Sequence, residues 1–266
     1  MKTHLIVLIG TLLLGVSSQG EAKNAKKRIS LPPLRAVSDA WCPYSCEADS
    51  NKPGYLIEIL KAVMKPHDIP VKYTETNWAR ALNAVQKGTE YEALIGAVKE
   101  GAPQLVYPAV PLGYSQNCFY TLKDRSWKFH GIDSLEAIHL GVIGGYAYSS
   151  QIAEYLKKNK KNAHRITPHF GEKGVLTRVF QSLIAGRVDA LIEDRAVVNY
   201  TLHKAPILEQ VTEAGCEMPS PVFVAFSPNH PHAQEYADLL TEGVLKLIKT
   251  GEMKAILKRY YLKPWY

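Results

Sequence analysis

Beyond residue 30 the apolar positions of this chain fall into two patterns: short unbroken runs that suit buried strands, and stripes at three and four residue spacing that suit helices. Leu31 to Val37 is a predicted strand. A helix opens at Gly54 and carries Leu56, Leu60, Val63 and Met64 on one face until Pro66 stops it, and the alternating stretch Ile69 to Thr74 predicts a second strand. Thr76 or Asn77 caps the next helix, which buries Ala81, Leu82 and Val85 and ends at Gly88. The run Ala93 to Ala97 completes a β-α-β-α-β unit, so a mainly parallel sheet covered by helices is expected.

The same order returns downstream. Leu140 to Ile143 reads as a strand leading into Gly144 and Gly145, a helix begins near Ser149 with Ile152, Tyr155 and Leu156 on its apolar side, and His164 to Thr167 is the next strand. Val175 to Ala185 is a helix closed by Gly186, before the strand Ala190 to Ile192. Arg80-Ala-Leu, Gly88 and Glu92-Ala-Leu-Ile95 are thus echoed by Arg178, Gly186 and Asp189-Ala-Leu-Ile192, and the chain reads as two similar α/β lobes.

The stretch from Tyr91 to Thr121 leaves the first lobe through a glycine and proline-rich segment and enters a strand at Cys118 to Thr121. Ser220 to Ser227 predicts one more apolar strand, paired with Cys118 to Thr121. From Pro231 onward the chain is helical, with Leu239, Val244, Leu247 and Ile248 on one side, then Ile256 and Leu257 in a final short helix. These helices need an apolar face to cover, and the first lobe is the natural one. The chain then crosses between lobes twice, near Gly113 to Asn117 and near Val224 to Pro228, which makes a hinge and a cleft. The expected division is 21–115 for the first part of the first lobe, 116–224 for the second lobe and 225–266 for the return. In open α/β sheets ligands sit at the C-terminal ends of strands, here facing the cleft from both sides.

Residues 1–20 carry Lys2, an apolar stretch from Leu5 to Leu14, and small residues Ser18 and Gly20 before Glu21, the pattern of a cleaved secretory signal peptide. An exported mature chain of about 246 residues has room for one large domain or two smaller ones. The formal charge of +7 is raised by a basic arm at Lys23, Lys26, Lys27 and Arg28. Elsewhere lysines alternate with acidic residues on solvated helix faces, and export argues against a nucleic-acid partner. Four cysteines in an exported chain are compatible with two disulfides, for which three pairings exist. Cys42 and Cys46 are close enough to staple one loop, which leaves Cys118 and Cys216 as a long-range pair. With no C-x-x-C pair, and no ligand spacing around His203 or His232, neither a metal nor a cofactor is expected.

Several segments carry a resemblance: Trp41-Cys-Pro-Tyr44, Gly54-Tyr-Leu-Ile-Glu58, Gly88 ahead of EALIGA, Tyr107-Pro108, Gly141-Val-Ile-Gly-Gly145 and GRVDALIED at residues 186–194. Their order and spacing, over roughly residues 30 to 262, resemble the bacterial extracellular solute-binding protein family 3, the periplasmic receptors of polar amino-acid ABC importers. The resemblance implies a type II periplasmic binding protein fold, each lobe a mixed, mostly parallel sheet with helices on both faces. It further implies a monomer in the periplasm that closes on a small solute and delivers it to an inner-membrane permease. The family's gripping aromatics match Trp41 and Trp78, its hydrogen-bonding loop after the first-lobe strand matches Gly96, Ala97 and Lys99, its contacts to the ligand carboxylate match Gly145, Tyr146 and Ala147, and its amine-holding aspartate matches Asp194.

The chemistry of these residues agrees with such roles. Two indoles offer large contact area at low entropic cost and can face a cation. Tyr44 shares the Trp41 loop, and one of the two, with Trp41 preferred, faces the cleft. Backbone N–H groups after Gly144 and Gly145, at a helix start, form a place for an anion. Asp194 ends a buried strand and either meets a ligand amine or caps the following helix. Glu92 and Asp189 sit at equivalent repeat positions and read as strand-edge residues.

One departure matters. Family members that bind α-amino acids clamp the carboxylate with an arginine after the first-lobe strand, where this chain has Lys99-Glu-Gly-Ala-Pro-Gln. Lysine is a point charge and not a fork, so an amine, a modified amino acid or another small polar solute stays open as ligand. The competing readings are a periplasmic enzyme on the same scaffold, dehydratase-like, with Glu100, Glu193 or Asp194 as its acid, and a sensor component that presents its ligand to a membrane receptor.

Overall fold

The computed structural model describes residues 31–170, 174–203 and 209–266. The signal segment and the basic arm lie outside the described residues. In chain order the elements are β1 (Leu34–Ser38), α1 (Tyr55–Met64), β2 (Val71–Glu75), α2 (Trp78–Lys87), β3 (Ala93–Ala97), β4 (Gly113–Ser115) and β5 (Asn117–Leu122), then β6 (Leu140–Ile143), α3 (Ser150–Asn159), β7 (Ile166–His169), α4 (Val175–Ile184), β8 (Ala190–Asp194) and α5 (Arg195–Leu202). They are followed by β9 (Val211–Cys216), β10 (Ser220–Phe226), α6 (Ala233–Thr250) and α7 (Glu252–Arg259).

The strands form two sheets of the same design, in the orders β2-β1-β3-β10-β4 and β7-β6-β8-β5-β9. In each, three parallel strands are followed by one that runs antiparallel to them and by an edge strand antiparallel to that one. Alternation along each strand sends side chains to opposite faces. In the first sheet Leu34, Ala36, Ile95, Val224 and Phe226 meet α1, α6 and α7, while Val37, Leu94, Ala97 and Ala225 meet α2. In the second, Leu140, Val142, Ala190 and Ile192 pack under α3, and Cys118, Tyr120, Ile143 and Leu191 under α4.

The internal repeat has a shared fastening. The Arg35 amide donates to Glu92 Oε2 at 2.6 Å and the His139 amide donates to Asp189 Oδ2 at 2.9 Å. In return the Glu92 amide donates to the Arg35 carbonyl, and the Asp189 amide to that of His139. Each carboxylate therefore ties the start of the third strand of its unit to the first.

Ser220–Phe226 pairs with β3 and β4, not with Cys118–Thr121, and β5 pairs with β8 and β9. The chain thus recrosses between Cys216 and Ser220 rather than at Val224 to Pro228, and all of β10 lies in the first sheet. The cause is β9, Val-Thr-Glu-Ala-Gly-Cys, a polar edge strand without an apolar run, which takes the place beside β5. The two crossings touch: Gln116, between β4 and β5, donates through Nε2 to the Glu217 carbonyl at 2.9 Å. Disulfides join Cys42 to Cys46 and Cys118 to Cys216, the latter between directly opposed residues of β5 and β9 beside the crossings.

The C-terminal helices cover the first lobe. A Cβ on Gly243 of α6 would lie 2.3 Å from Val63 of α1, so glycine lets these helices approach. Tyr260 donates to Glu58 Oε1 at 2.6 Å and accepts from the Gly54 amide at 3.0 Å. Among the described residues no helix is long and apolar enough to cross a membrane.

Candidate functional site

The strand ends β1, β3, β6 and β8 and the loops that follow them face one another across the cleft. On the first-lobe side the loop after β1 folds back on itself, with the Tyr44 and Ser45 amides both donating to the Trp41 carbonyl and the Cys42–Cys46 disulfide closing it. This loop stacks Trp41 on Tyr44, ring centroids 4.0 Å apart and planes 13° from parallel. Trp41 also covers Gly96, which has φ 83°, and a Cβ there would lie 3.6 Å from the indole. The lobes meet in front as well, since a Cβ on Gly101 would lie 3.7 Å from that of Ala147.

Of the pair in the loop, Trp41 is half-buried at the cleft and Tyr44 is 1 % exposed beneath it. The Tyr44 hydroxyl is shared between the Tyr114 carbonyl at 2.8 Å and Asp194 Oδ2 at 3.2 Å. Tyr44, expected among the lining residues, is instead a buried prop, because stacking and hydrogen bonding consume both its face and its tip.

Asp194 is also committed. Its Oδ1 accepts from the Ala196 and Val197 amides at 2.8 and 3.1 Å, capping α5, and its Oδ2 accepts from the Gln116 amide at 2.7 Å as well as from Tyr44. Four donors saturate a carboxylate. Burial pushes its pKa up to about 6 against the pull of these bonds. The alternative of a helix cap is realised here, and Asp194 joins three parts: α5, the first crossing and the Trp41 loop.

Its neighbour Glu193 has a different environment. The side chain is 4 % exposed, and its Oε1 accepts only from the Asp194 amide, at 2.7 Å, among the bonds of the described residues. Burial raises its pKa to about 8, and the negative charges of Asp194 and of Asp39, at the end of β1, push the same way. The Trp41 indole N–H lies toward Glu193 and pulls its pKa down, but falls short of hydrogen-bond geometry, so Trp41 Nε1 is buried without a partner. Asp39 is itself raised to about 6 by burial. Tyr146 and Tyr148 are likewise raised by burial first and then by the Glu193 charge. No cation is among the groups acting most strongly on Glu193 or Asp39. The centre of the cleft is therefore acidic and roofed by an indole.

The remaining expected residues divide. Trp78, first residue of α2, rests half-buried on the cluster of Val37, Ala81, Leu94 and Ala97. Ala97 is fully buried in that cluster, so its side chain is a core methyl and not a lining group. Lys99 Nζ lies 5.1 Å above the Phe223 ring and 5.5 Å above that of Tyr107, folded onto its own lobe by cation–π attraction. Gly145 is exposed with φ 88°, Tyr146 half-buried and Ala147 exposed against Gly101. The helix begins only at Ser150, capped by Ser149, and the Gly144 and Tyr146 amides, two of the donors expected for an anion, donate instead to the His169 and Ile143 carbonyls. The sulfurs of Cys118 and Cys216, near Glu213, are in a disulfide and are not metal ligands. Two surface grooves, around Arg35, Lys72 and Tyr91 and around Asp133, Gln151 and Lys158, lie away from the cleft.

Sequence reasoning missed Asp39 as a cleft residue and ranked Glu193 below Asp194. The signal for Asp39 was a carboxylate directly after the apolar run of β1, at a strand end that faces the cleft.

No protein-family model matches the chain, and no curated protein matches its sequence. Solved structures do match. An ancestral arginine-binding protein bound to arginine superposes with a TM-score of 0.68 at 20 % identity, covering 87 % of this chain and 99 % of that one. A structure concerned with glutathione import in Gram-positive bacteria via GshT and the cystine ABC importer TcyBC of Streptococcus mutans gives 0.70 at 17 % identity over 86 % and 94 %. A histidine kinase sensor domain similar to periplasmic binding proteins gives 0.69 at 18 % identity over 87 % and 98 %. The fold is that of the type II periplasmic binding proteins. At these identities the likeness extends to the fold alone.

Proposed function

We propose that this protein captures a small solute bearing a cationic amine between its two lobes and delivers it, in the periplasm, to an ABC importer. The observation that carries the reading is the acidic centre of the cleft. Glu193 and Asp39 end strands of opposite lobes, are raised by burial, and have no strong cationic partner among the described residues. An unpaired buried carboxylate is costly, and a bound cation relieves that cost. Trp41 lies beside the site with an indole that attracts the same charge. Structures with this fold include proteins bound to arginine and to glutamine and a receptor core with glutamate, which supports a solute of amino-acid size. The absence of an arginine after β3, and Lys99 turned onto Phe223, favour an amine over a carboxylate as the recognised group.

The test is thermal unfolding with agmatine, arginine, glutamine and glutamate as probes. Agmatine or arginine is expected to raise the melting temperature by mass action and glutamate to leave it unchanged. A shift with glutamate alone would reject the reading. A second reading has one specific support: at neutral pH Glu193 is held largely protonated, as a proton donor needs to be, and one structure of this fold is an ancestral amino-acid-binding protein described as a precursor of cyclohexadienyl dehydratase. Recovery of a chemically altered solute would favour that enzyme.

A further inference from the structure

Tyr261 occupies a position that glycine usually fills. After α7 its amide donates to the Lys258 carbonyl at 3.2 Å and the Leu262 amide donates to the Leu257 carbonyl at 3.1 Å, the paired bonds of a left-handed helix stop. Tyr261 has φ 60° there, and Asp68 is the only other non-glycine residue with positive φ among the described residues. A left-handed conformation is disfavoured for any residue with a Cβ, so something beyond the helix stop favours tyrosine.

Its ring supplies the reason. It stacks on His203 with centroids 4.4 Å apart and planes 14° from parallel, and lies 6.2 Å from the ring of Tyr200. Lys52 Nζ sits 5.9 Å from its centroid. Tyr261 and Lys52 belong to the first lobe, whereas Tyr200 and His203 belong to α5 and its end, on the chain that leaves β8. His203 is itself oriented, with Nδ1 2.7 Å from the Asn199 carbonyl. Beneath this stack Val197 and Tyr200 of α5 are buried in the first-lobe core, and Tyr200 lies 6.4 Å from Tyr260. Tyr261 is 58 % exposed, so the stack forms the solvent-facing edge of that packing between α5 and the first lobe.

We infer that Tyr261 is a clasp between the lobes, which fastens α5 to the first lobe and biases the balance between closed and open arrangements. This goes beyond solute capture and operates without any ligand. A contact present in one arrangement and lost in the other shifts the balance by its own strength, roughly three- to tenfold in the open-to-closed ratio for an aromatic stack.

Small-angle X-ray scattering of the full chain without added solute, paired with thermal unfolding, tests the clasp. Tyr261→Gly suits the helix stop, so the melting temperature is expected to hold or rise while the radius of gyration increases. His203→Ala removes the partner from the other lobe and is expected to give the same increase, with no further increase in the double variant. An unchanged radius of gyration in both single variants would overturn the clasp, as would increases that simply add in the double variant. A Tyr261→Gly protein that melts lower with unchanged scattering would overturn it too, since the tyrosine would then serve only its own helix end. These results are independent of whether agmatine or arginine binds.

Discussion

The third strands of the two repeated units start alike and end differently. β3 and β8 are each tied at the start by a carboxylate, Glu92 or Asp189, that accepts the amide of a residue in or just ahead of the first strand of its unit. At its other end β3 closes with Gly96 and Ala97, small and buried, whereas β8 closes with Glu193 and Asp194, two buried carboxylates. The starts hold the sheet and the ends face the cleft. The acidic end sits in the second lobe, on the side of Trp41 and Asp39.

If that contrast is right, changes at the end of β8 act strongly and changes after β3 weakly. Asp194→Ala strips a helix cap and leaves the Gln116 amide and the Tyr44 hydroxyl without their carboxylate, and is expected to cost about 4 kcal/mol in urea unfolding, with Asp194→Asn retaining part of the loss. Glu193→Gln tests the pH dependence. The folded pKa of Glu193, about 8, lies above the ordinary glutamate value of 4.5, so the folded state binds the extra proton between those values and stability falls as pH rises through that window. Asp39 and Asp194, raised to about 6, add to the same slope at its lower end. Wild-type protein is expected to lose about 6 kcal/mol between pH 5 and 8, and Glu193→Gln to remove about half of that dependence, as followed by denaturant midpoints across pH. Agmatine binding is expected to tighten over the same range, because ionised Glu193 is the form that attracts it.

At the strand starts, Glu92→Ala and Asp189→Ala should each cost about 1.5 kcal/mol, and the two losses should be similar. A large inequality would break the equivalence of the repeats. Smallest of all, Lys99→Met should change stability by less than about 0.5 kcal/mol and leave agmatine affinity nearly unchanged, as a calorimetric titration would show.

Much of the scaffold could be read from the chain because local rules and the fold agree there. Ala93–Ala97 and Leu140–Ile143 are unbroken apolar runs, Asn77 accepts the Arg80 amide at 2.9 Å as a cap, and Gly88 ends α2 with φ 69°. β9 stayed hidden because an edge strand need not be apolar, and its absence from the reading sent Ser220–Phe226 to the wrong partner. In the site, Trp41, Glu193 and Asp194 were all named from the chain, but which of the two carboxylates caps α5 was not decided there. Successive strand residues face opposite sides, so Glu193 and Asp194 have opposite duties, and only tertiary contacts decide which is capped and which is left for the cleft.

The most direct test is mass spectrometry of whatever solute the protein carries through gentle purification from the periplasm, for wild type and Glu193→Gln side by side. A chemically unaltered cationic amine, near one per chain in the wild type and depleted in the variant, is the predicted result. An anionic solute retained equally by both proteins would contradict the account.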